Sequence, residues 1–119
     1  MAHTVEFLLK HNLTAVFGER DGNKRRAVIS EIWASDGILV DPDGSRSGKS
    51  AIDESIEQLL QRFPEYVFSE LGPVDGFHDI GRLAWGFGPP GAPPVVTGLD
   101  VLVAANGKIA ALYTFLDRH

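Results

Sequence analysis

Residues 95–117, VVTGLDVLVAANGKIAALYTFLD, contain two long apolar runs, and Asn106-Gly107 lies between them. This pair is favoured in the two-residue turn of a β-hairpin, because both turn positions need positive φ. The runs on either side are rich in the residue types that favour strands. The stretch therefore predicts a hairpin of two antiparallel strands at the end of the chain.

The two segments before this hairpin also have the period of two that a strand requires. They are residues 66–77, YVFSELGPVDGF, and residues 78–88, HDIGRLAWGFG. A proline-rich loop, GPPGAPP at residues 88–94, is typical of a rigid connection and leads into the hairpin. The second half of the chain is therefore predicted to be a four-stranded antiparallel meander.

Apolar residues in the first half recur at helical spacing. Three helices and one short strand are predicted there, with the helices at residues 4–22, 24–37 and 50–64 and the strand at residues 38–42. Gly22 is predicted to end the first helix, Asn23 to cap the second and Pro64 to end the third. Helices that precede most of the strands indicate an α+β domain in which helices cover one sheet face.

Residues 41–50, DPDGSRSGKS, are similar to the end of a phosphate-binding loop. That loop needs one more residue between its first glycine and the Gly-Lys-Ser than the three that separate Gly44 from Gly48. We therefore interpret the segment as a turn that leads into a helix, with Ser50 as the cap and Asp53 reaching back to it. Nucleotide hydrolysis is not expected.

Composition limits the classes of partner. The 119 residues suit one domain, residues 1–119, and the net charge of -5 argues against a nucleic-acid partner. The cluster Lys24-Arg25-Arg26 is interpreted as an exposed helix face. Cysteine is absent and the histidines lack metal-ligand spacing, so neither a disulfide nor a metal site is expected. No segment has the pattern of a signal peptide or membrane span, so we expect a cytoplasmic protein with no membrane partner.

Three segments together resemble the nuclear transport factor 2-like superfamily, in its SnoaL-like and ketosteroid-isomerase-like branch. They are WASDGILVDPDGSRSGKSAI at residues 33–52, DGFHDIGRLAWGF at residues 75–87, and the hairpin at residues 95–117. The resemblance implies a cone-shaped, curved antiparallel β-sheet wrapped around three N-terminal helices, with an apolar pocket at its open end. It also implies a small apolar molecule as ligand, no cofactor, and a homodimer formed through the outer sheet face.

The resemblance further implies roles for two carboxylates. Asp41, before the Asp-Pro turn, matches the family's catalytic base, and Asp100 matches the acid that hydrogen-bonds the developing enolate oxygen. An apolar environment raises the pKa of such an acid towards neutrality. Phe17 occupies the position of the family's oxyanion tyrosine, and losing such a donor typically costs ~2.7–4 kcal/mol of transition-state stabilisation. Tyr113 on the last strand is a candidate replacement.

Both carboxylates also have a purely structural interpretation. Asp41 precedes Pro42 and can instead accept hydrogen bonds within a turn. Asp100 lies in an apolar run and needs a partner if it is buried, such as Arg82 on a neighbouring strand. These alternatives predict different surroundings for the two side chains.

Strand alternation places His78 and Arg82 on one face of the segment at residues 78–88. His78 is an alternative base, and together the two side chains could polarise a carbonyl or bind a carboxylate. The structural alternative is a cross-strand ion pair to Glu70, Asp79 or Asp100.

The catalytic candidates are therefore Asp41, Asp100 and His78, with no metal ligand. The substrate-binding candidates are Phe17, Trp33, Arg82, Trp85, Tyr113 and Phe115, although aromatic residues of this kind also build cores. Two functions remain open. One is cofactor-free proton transfer, isomerase-like or cyclase-like, on a small apolar carbonyl compound. The other is a non-catalytic module that binds a small ligand or a second copy of the chain.

Overall fold

The computed structural model describes residues 3–117, which form three helices and seven strands. The helices are α1, Val5–His11, which continues as a π-helical segment over Asn12–Phe17, then α2, Gly22–Ile32, and α3, Lys49–Arg62. The strands are β1, Trp33–Asp41; β2, Gly44–Ser47; β3, Val67–Glu70; β4, Asp75–Phe77; β5, Ile80–Gly88; β6, Val96–Ala105; and β7, Lys108–Leu116. The predicted α+β class is confirmed.

The strands form one curved sheet in the order β2-β1-β7-β6-β5-β3, and β4 pairs with the other end of β5. Every pair is antiparallel within the described residues except β1–β7, which is parallel. The sheet is therefore mixed, although the sequence predicted an antiparallel one. Its register shifts between β1 and β7 and between β6 and β7, and such irregularities bend a sheet.

The hairpin of β6 and β7 is the one that the sequence predicted. Asn106 has φ 54° and Gly107 has φ 75°, so both turn residues adopt the left-handed conformation. The strands then pair from Ala105 and Lys108 to Gly98 and Leu116. This hairpin forms the centre of the sheet, between β1 and β5.

The helices pack on the concave face of the sheet and enclose one hydrophobic core. Its buried members include Leu8, Leu13, Ile32, Ile52, Ile56, Leu83, Leu102 and Leu112. The predicted cone-like arrangement of helices inside a curved sheet is therefore confirmed. No helix among residues 3–117 is long and apolar enough to cross a membrane.

The end of the first helix and the start of the second differ from the prediction. The first ends at Phe17, not at Gly22, and Gly22 is instead the first residue of α2. The predicted cap Asn23 is also wrong, because the Asp21 side chain accepts hydrogen bonds from the backbone N–H groups of Asn23 and Lys24. A carboxylate at this position satisfies two N–H groups that the first helical turn leaves unpaired.

β1 begins five residues earlier than the strand predicted at residue 38, so α2 is shorter than expected. Trp33 is extended and pairs with Ile109 of β7. Its side chain is fully buried and its indole N–H donates to Asn12 at 3.0 Å. Pairing with a distant strand therefore overrides the local helical pattern.

Arg25 is fully buried, so the predicted exposed basic face is wrong at this residue. Its guanidinium donates to Asp53 at 2.7 Å and to Glu57, both on α3. Asp53 is therefore used as an ion-pair partner, and the predicted capping box with Ser50 does not form, since α3 already begins at Lys49.

The strand predicted at residues 66–77 is split into β3 and β4, which pair with opposite ends of β5. Gly72 and Pro73 lie in the break, and proline cannot donate to a strand partner. β2 was not predicted, because its sequence GSRS has no apolar alternation.

Candidate functional site

A cavity of about 280 Å³ lies between α3, the end of the π-helical segment and the first two strands. Its apolar lining residues are Phe17, Leu39, Ile56 and Leu59, and its polar ones are Asp41, Asp43, Arg46, Ser55, Gln58 and Arg62. The sequence assigned functional roles to Phe17 and Asp41, and this cavity brings them together. We therefore treat it as the candidate site.

Asp41 ends β1 and closes the turn that follows it. Its Oδ1 accepts the backbone N–H groups of Asp43 at 2.9 Å and Gly44 at 3.1 Å. The guanidinium of Arg46 lies 2.8 Å from the same oxygen. Asp41 thus holds the turn, as the structural interpretation predicted, and it also lines the cavity.

Asp100 lies on the inward face of β6 and is 4% exposed. Its Oδ1 accepts two hydrogen bonds, from the Trp85 indole at 3.0 Å and from the Thr114 hydroxyl at 2.9 Å. Oδ2 accepts no hydrogen bond from any side chain or backbone group of residues 3–117. The carboxyl therefore has one oxygen fixed by the protein and one uncommitted.

Burial raises the pKa of Asp100 from 3.8 to about 6, while the bonds from Thr114 and Trp85 partly offset the rise. The cause is the loss of hydration, which destabilises the charged form of a buried carboxyl. The suggested ion pair of Asp100 with Arg82 is wrong. Arg82 lies on the exposed face of β5 and pairs with Asp75 at 3.2 Å.

Strand register relates the two carboxylates. Val40 pairs with Tyr113 and Tyr113 pairs with Val101, so one step further Asp41, Thr114 and Asp100 lie in a row across three strands. Strands are ~4.8 Å apart, which separates Asp41 and Asp100 by roughly 10 Å along this row. The cavity reaches Asp41 but Asp100 is not among its lining residues.

An aromatic cluster lies between the cavity and Asp100. Phe17 packs edge-on against Phe68 with ring centroids 5.8 Å apart, and Phe68 packs against Trp85 at 5.7 Å. Phe87 stacks on Phe68 at 4.2 Å. Trp85 in turn donates to Asp100, so contacts run from the cavity lining to the buried acid.

The remaining predicted residues lie elsewhere. His78 is exposed in the turn between β4 and β5, with φ 50°. Tyr113 and Phe115 lie on the outer face of β7 and are 40% and 58% exposed, so Tyr113 points away from Asp100 and cannot replace the missing tyrosine. Trp33 belongs to the core. Residues 3–117 contain no group of three His, Asp or Glu side chains arranged to hold a metal ion.

The sequence did not point to either arginine of the cavity, Arg46 or Arg62. Arg62 lies one turn of α3 beyond Leu59 and two beyond Ser55, so helical spacing already placed the three on one face. No comparable signal existed for Arg46, because β2 itself was not predicted.

Solved structures include close matches to this fold. A proposed isomerase of the SnoaL-like family from Agrobacterium tumefaciens strain C58 is 31% identical, with 93% of this chain and 95% of that chain covered and a TM-score of 0.86. A candidate SnoaL-like polyketide cyclase from Jannaschia sp. CCS1 is 14% identical over 92% and 83% of the two chains, with a TM-score of 0.74.

A third match is a protein of ketosteroid isomerase-like fold from Catenulispora acidiphila DSM 44928, solved in complex with trimethylamine. It is 17% identical over 93% of this chain and 85% of that chain, with a TM-score of 0.72. The sequence identities of the Jannaschia and Catenulispora proteins to this chain are low, so these two matches show a common fold but not a common activity. The sequence matches no family model and no curated protein.

Proposed function

The chain belongs to the SnoaL-like family, and on that premise we propose that it moves a proton next to the carbonyl group of a small molecule without a cofactor. Asp41 is the base that removes the proton. Asp100 is the acid that hydrogen-bonds the carbonyl oxygen while negative charge develops on it. This is the chemistry of isomerases and cyclases that work through an enolate.

The surroundings of Asp100 carry the proposal. An asparagine would accept the same hydrogen bonds from Trp85 and Thr114 and would avoid the cost of burying a carboxylate. A carboxyl with one uncommitted oxygen and a pKa of about 6 is protonated in half or more of the molecules at and below pH 6, and it can then donate that proton. Perturbed carboxyls of this kind concentrate at functional sites.

The spacing of the two carboxylates is compatible with this division of roles. A substrate between them would present its acidic C–H to Asp41 and its oxygen to Asp100, each within hydrogen-bond reach. The aromatic contacts from Phe17 to Trp85 separate the two regions, so substrate entry requires these rings to move. We place His78 outside the mechanism because it lies in an exposed turn.

A second candidate function is binding without catalysis. Two observations favour it: Asp41 is committed to Arg46 and to its turn, and Phe17 supplies no second oxyanion donor. In this case the cavity would hold a small molecule with an apolar body, and Asp100 would only organise the aromatic cluster.

We also propose that the outer sheet face binds a second copy of the chain. On this face Leu99 lies opposite Phe115, and Val101 lies opposite Tyr113. The two aromatic side chains are 58% and 40% exposed, and contiguous exposed apolar surface of this kind marks interaction sites. Their position on the convex side leaves the cavity accessible in a dimer.

Proton transfer can be tested before the natural substrate is known. The rate of α-proton exchange of cyclohexanone and acetophenone in D₂O would be followed by proton NMR. The wild-type protein should accelerate exchange over buffer, and Asp41→Asn and Asp100→Ala should each remove most of the acceleration, because general acid–base groups contribute roughly 100-fold or more and alanine, unlike asparagine, has no donor for the carbonyl oxygen.

Asp36→Asn is the matched control, since Asp36 is an exposed carboxylate on β1 that lies outside the cavity. Exchange that is unchanged in Asp100→Ala would rule out the proton-transfer mechanism. Exchange no faster than in buffer, together with ligand shifts at the cavity, would support the binding function.

A further inference from the structure

We propose that the substrate carries a carboxylate as well as its carbonyl group, and that Arg62 and Arg46 bind this carboxylate at the cavity. The inference rests on the proposed function, because it concerns the same cavity. Two arginine residues line a space of about 280 Å³ whose remaining lining includes four apolar residues. Arginine binds carboxylates through two parallel hydrogen bonds, which gives both strength and orientation.

Arg62 is the last residue of α3 and has no ion-pair partner among residues 3–117. Its guanidinium carbon lies 5.6 Å from the ring centroid of Phe63. A contact with a ring face leaves the N–H groups at the edge of the guanidinium uncommitted. Arg62 can therefore bind an anion without breaking an existing pair.

Arg46 is only partly committed. Its Nη1 lies 2.8 Å from Asp41 and 3.5 Å from the Gly44 carbonyl oxygen, while Nε and Nη2 donate no hydrogen bond within the described part of the chain. A ligand carboxylate on these free donors would lie beside Asp41. The geometry thus places the carboxylate a few bonds from the C–H group that the base attacks.

The two aspartates of the cavity do not oppose this inference. Asp41 is already balanced by Arg46 and by two backbone N–H groups. Asp43 is exposed in the turn, where water and salt screen its charge. Arg62 is itself exposed, so a ligand carboxylate would be held by direct hydrogen bonds from the arginines and not by an excess of positive charge in the cavity. The proposed substrate is therefore a small oxo acid. Its apolar body would pack against Phe17 and Leu59, and its carboxylate would bind the arginines.

Binding of 4-oxo-4-phenylbutanoate and of its methyl ester would test this inference, because the ester lacks the negative charge and differs otherwise by one methyl group. Dissociation constants would be measured by nitrogen-15 NMR titration of the cavity amides. We expect the acid to bind at least ~10-fold more tightly than the ester, since hydrogen bonds to charged groups are worth that factor or more. Arg62→Gln should lower the affinity for the acid ~10-fold and leave that for the ester unchanged.

Arg26→Gln is the matched control, because Arg26 is an arginine on α2 outside this cavity. Arg46→Gln should act like Arg62→Gln, and its melting temperature would verify that the β1–β2 turn is intact. Equal affinities for acid and ester, equal loss for both probes in Arg62→Gln, or no shifts at the cavity would each overturn the inference. Failure of the proposed function is measured separately, by the exchange of neutral ketones.

Discussion

The hydroxyl of Thr114 donates a 2.9 Å hydrogen bond to the carboxyl oxygen of Asp100 that also accepts from Trp85. Two donors on Oδ1 leave Oδ2 as the oxygen that can carry a proton. Thr114 also lies between Asp100 and Asp41 in the strand register. It therefore fixes which side of the buried acid is available for chemistry.

Thr114→Val should raise the pKa of Asp100 above its value of about 6, because it removes a hydrogen bond that stabilises the carboxylate and keeps the side-chain volume. Thr114→Ser keeps the hydroxyl and should restore the wild-type value. Carbon-13 NMR titration of the carboxyl measures both. An unchanged pKa in Thr114→Val would show that the hydroxyl does not act on Asp100.

As the pH rises from about 4 to about 6, the protein should lose stability because of Asp100. Its folded pKa of about 6 exceeds the ordinary 3.8, so the folded state binds more protons than the unfolded state in this window. The contribution of Asp100 to the free energy of unfolding is fully present below this pH window and is lost above it. This shift in the pKa of Asp100 corresponds to a change of about 3 kcal/mol at most in the free energy of unfolding.

Asp100→Asn has no such titration. The difference in unfolding free energy between Asp100→Asn and wild type should therefore grow in favour of the variant by about 2–3 kcal/mol from pH 4 to pH 7. Urea unfolding at several pH values measures it, and other carboxylates cancel in the difference. A pH-independent difference would mean that Asp100 titrates normally.

Arg25→Ala should destabilise the protein by about 3–5 kcal/mol, because it leaves Asp53 and Glu57 without the buried cation that binds them. Arg26→Ala is the control. Arg26 is also near Asp53, with its Nη1 3.4 Å from Oδ2, but its side chain is exposed. Its effect should stay below about 1 kcal/mol. If the two variants had the same midpoint of urea-induced unfolding, the stabilising role of the Arg25 ion pairs would be contradicted.

Phe115→Glu should convert a dimer into a monomer, because it places charge in the proposed interface on the outer sheet face. Sedimentation velocity on the purified protein measures the state. Phe7→Glu alters an exposed aromatic on α1, in the helical layer, and should leave the dimer intact. A wild-type protein that sediments as a monomer at high concentration would refute the proposed dimer.

Local sequence signals predicted the elements whose cause is local. Asn106-Gly107 specifies a turn by its own backbone preferences, and α3 follows from its apolar stripe. The start of β1 at Trp33 was not predictable in this way, because it depends on pairing with Ile109 far along the chain. Arg25 has the same explanation, since its partners lie on another helix.

The candidate site was predicted in part. Asp41 and Phe17, which the resemblance singled out, both line the cavity, and Asp100 is buried, as the apolar run around it indicated. The partners of Asp100 could not be read from the sequence, because Trp85 and Thr114 approach it through strand register. Tyr113 was misjudged because alternation from Thr114 places it on the outer face.

A carbon-13 NMR pH titration of the aspartate carboxyls tests the central claim most directly, with Asp100→Asn to assign the Asp100 resonance. We predict that Asp100 titrates near pH 6, as a buried acid with one uncommitted oxygen. A pKa at or below the ordinary value of 3.8 would show a hydrated or ion-paired carboxylate. That result would contradict Asp100 as the proton donor of the proposed reaction.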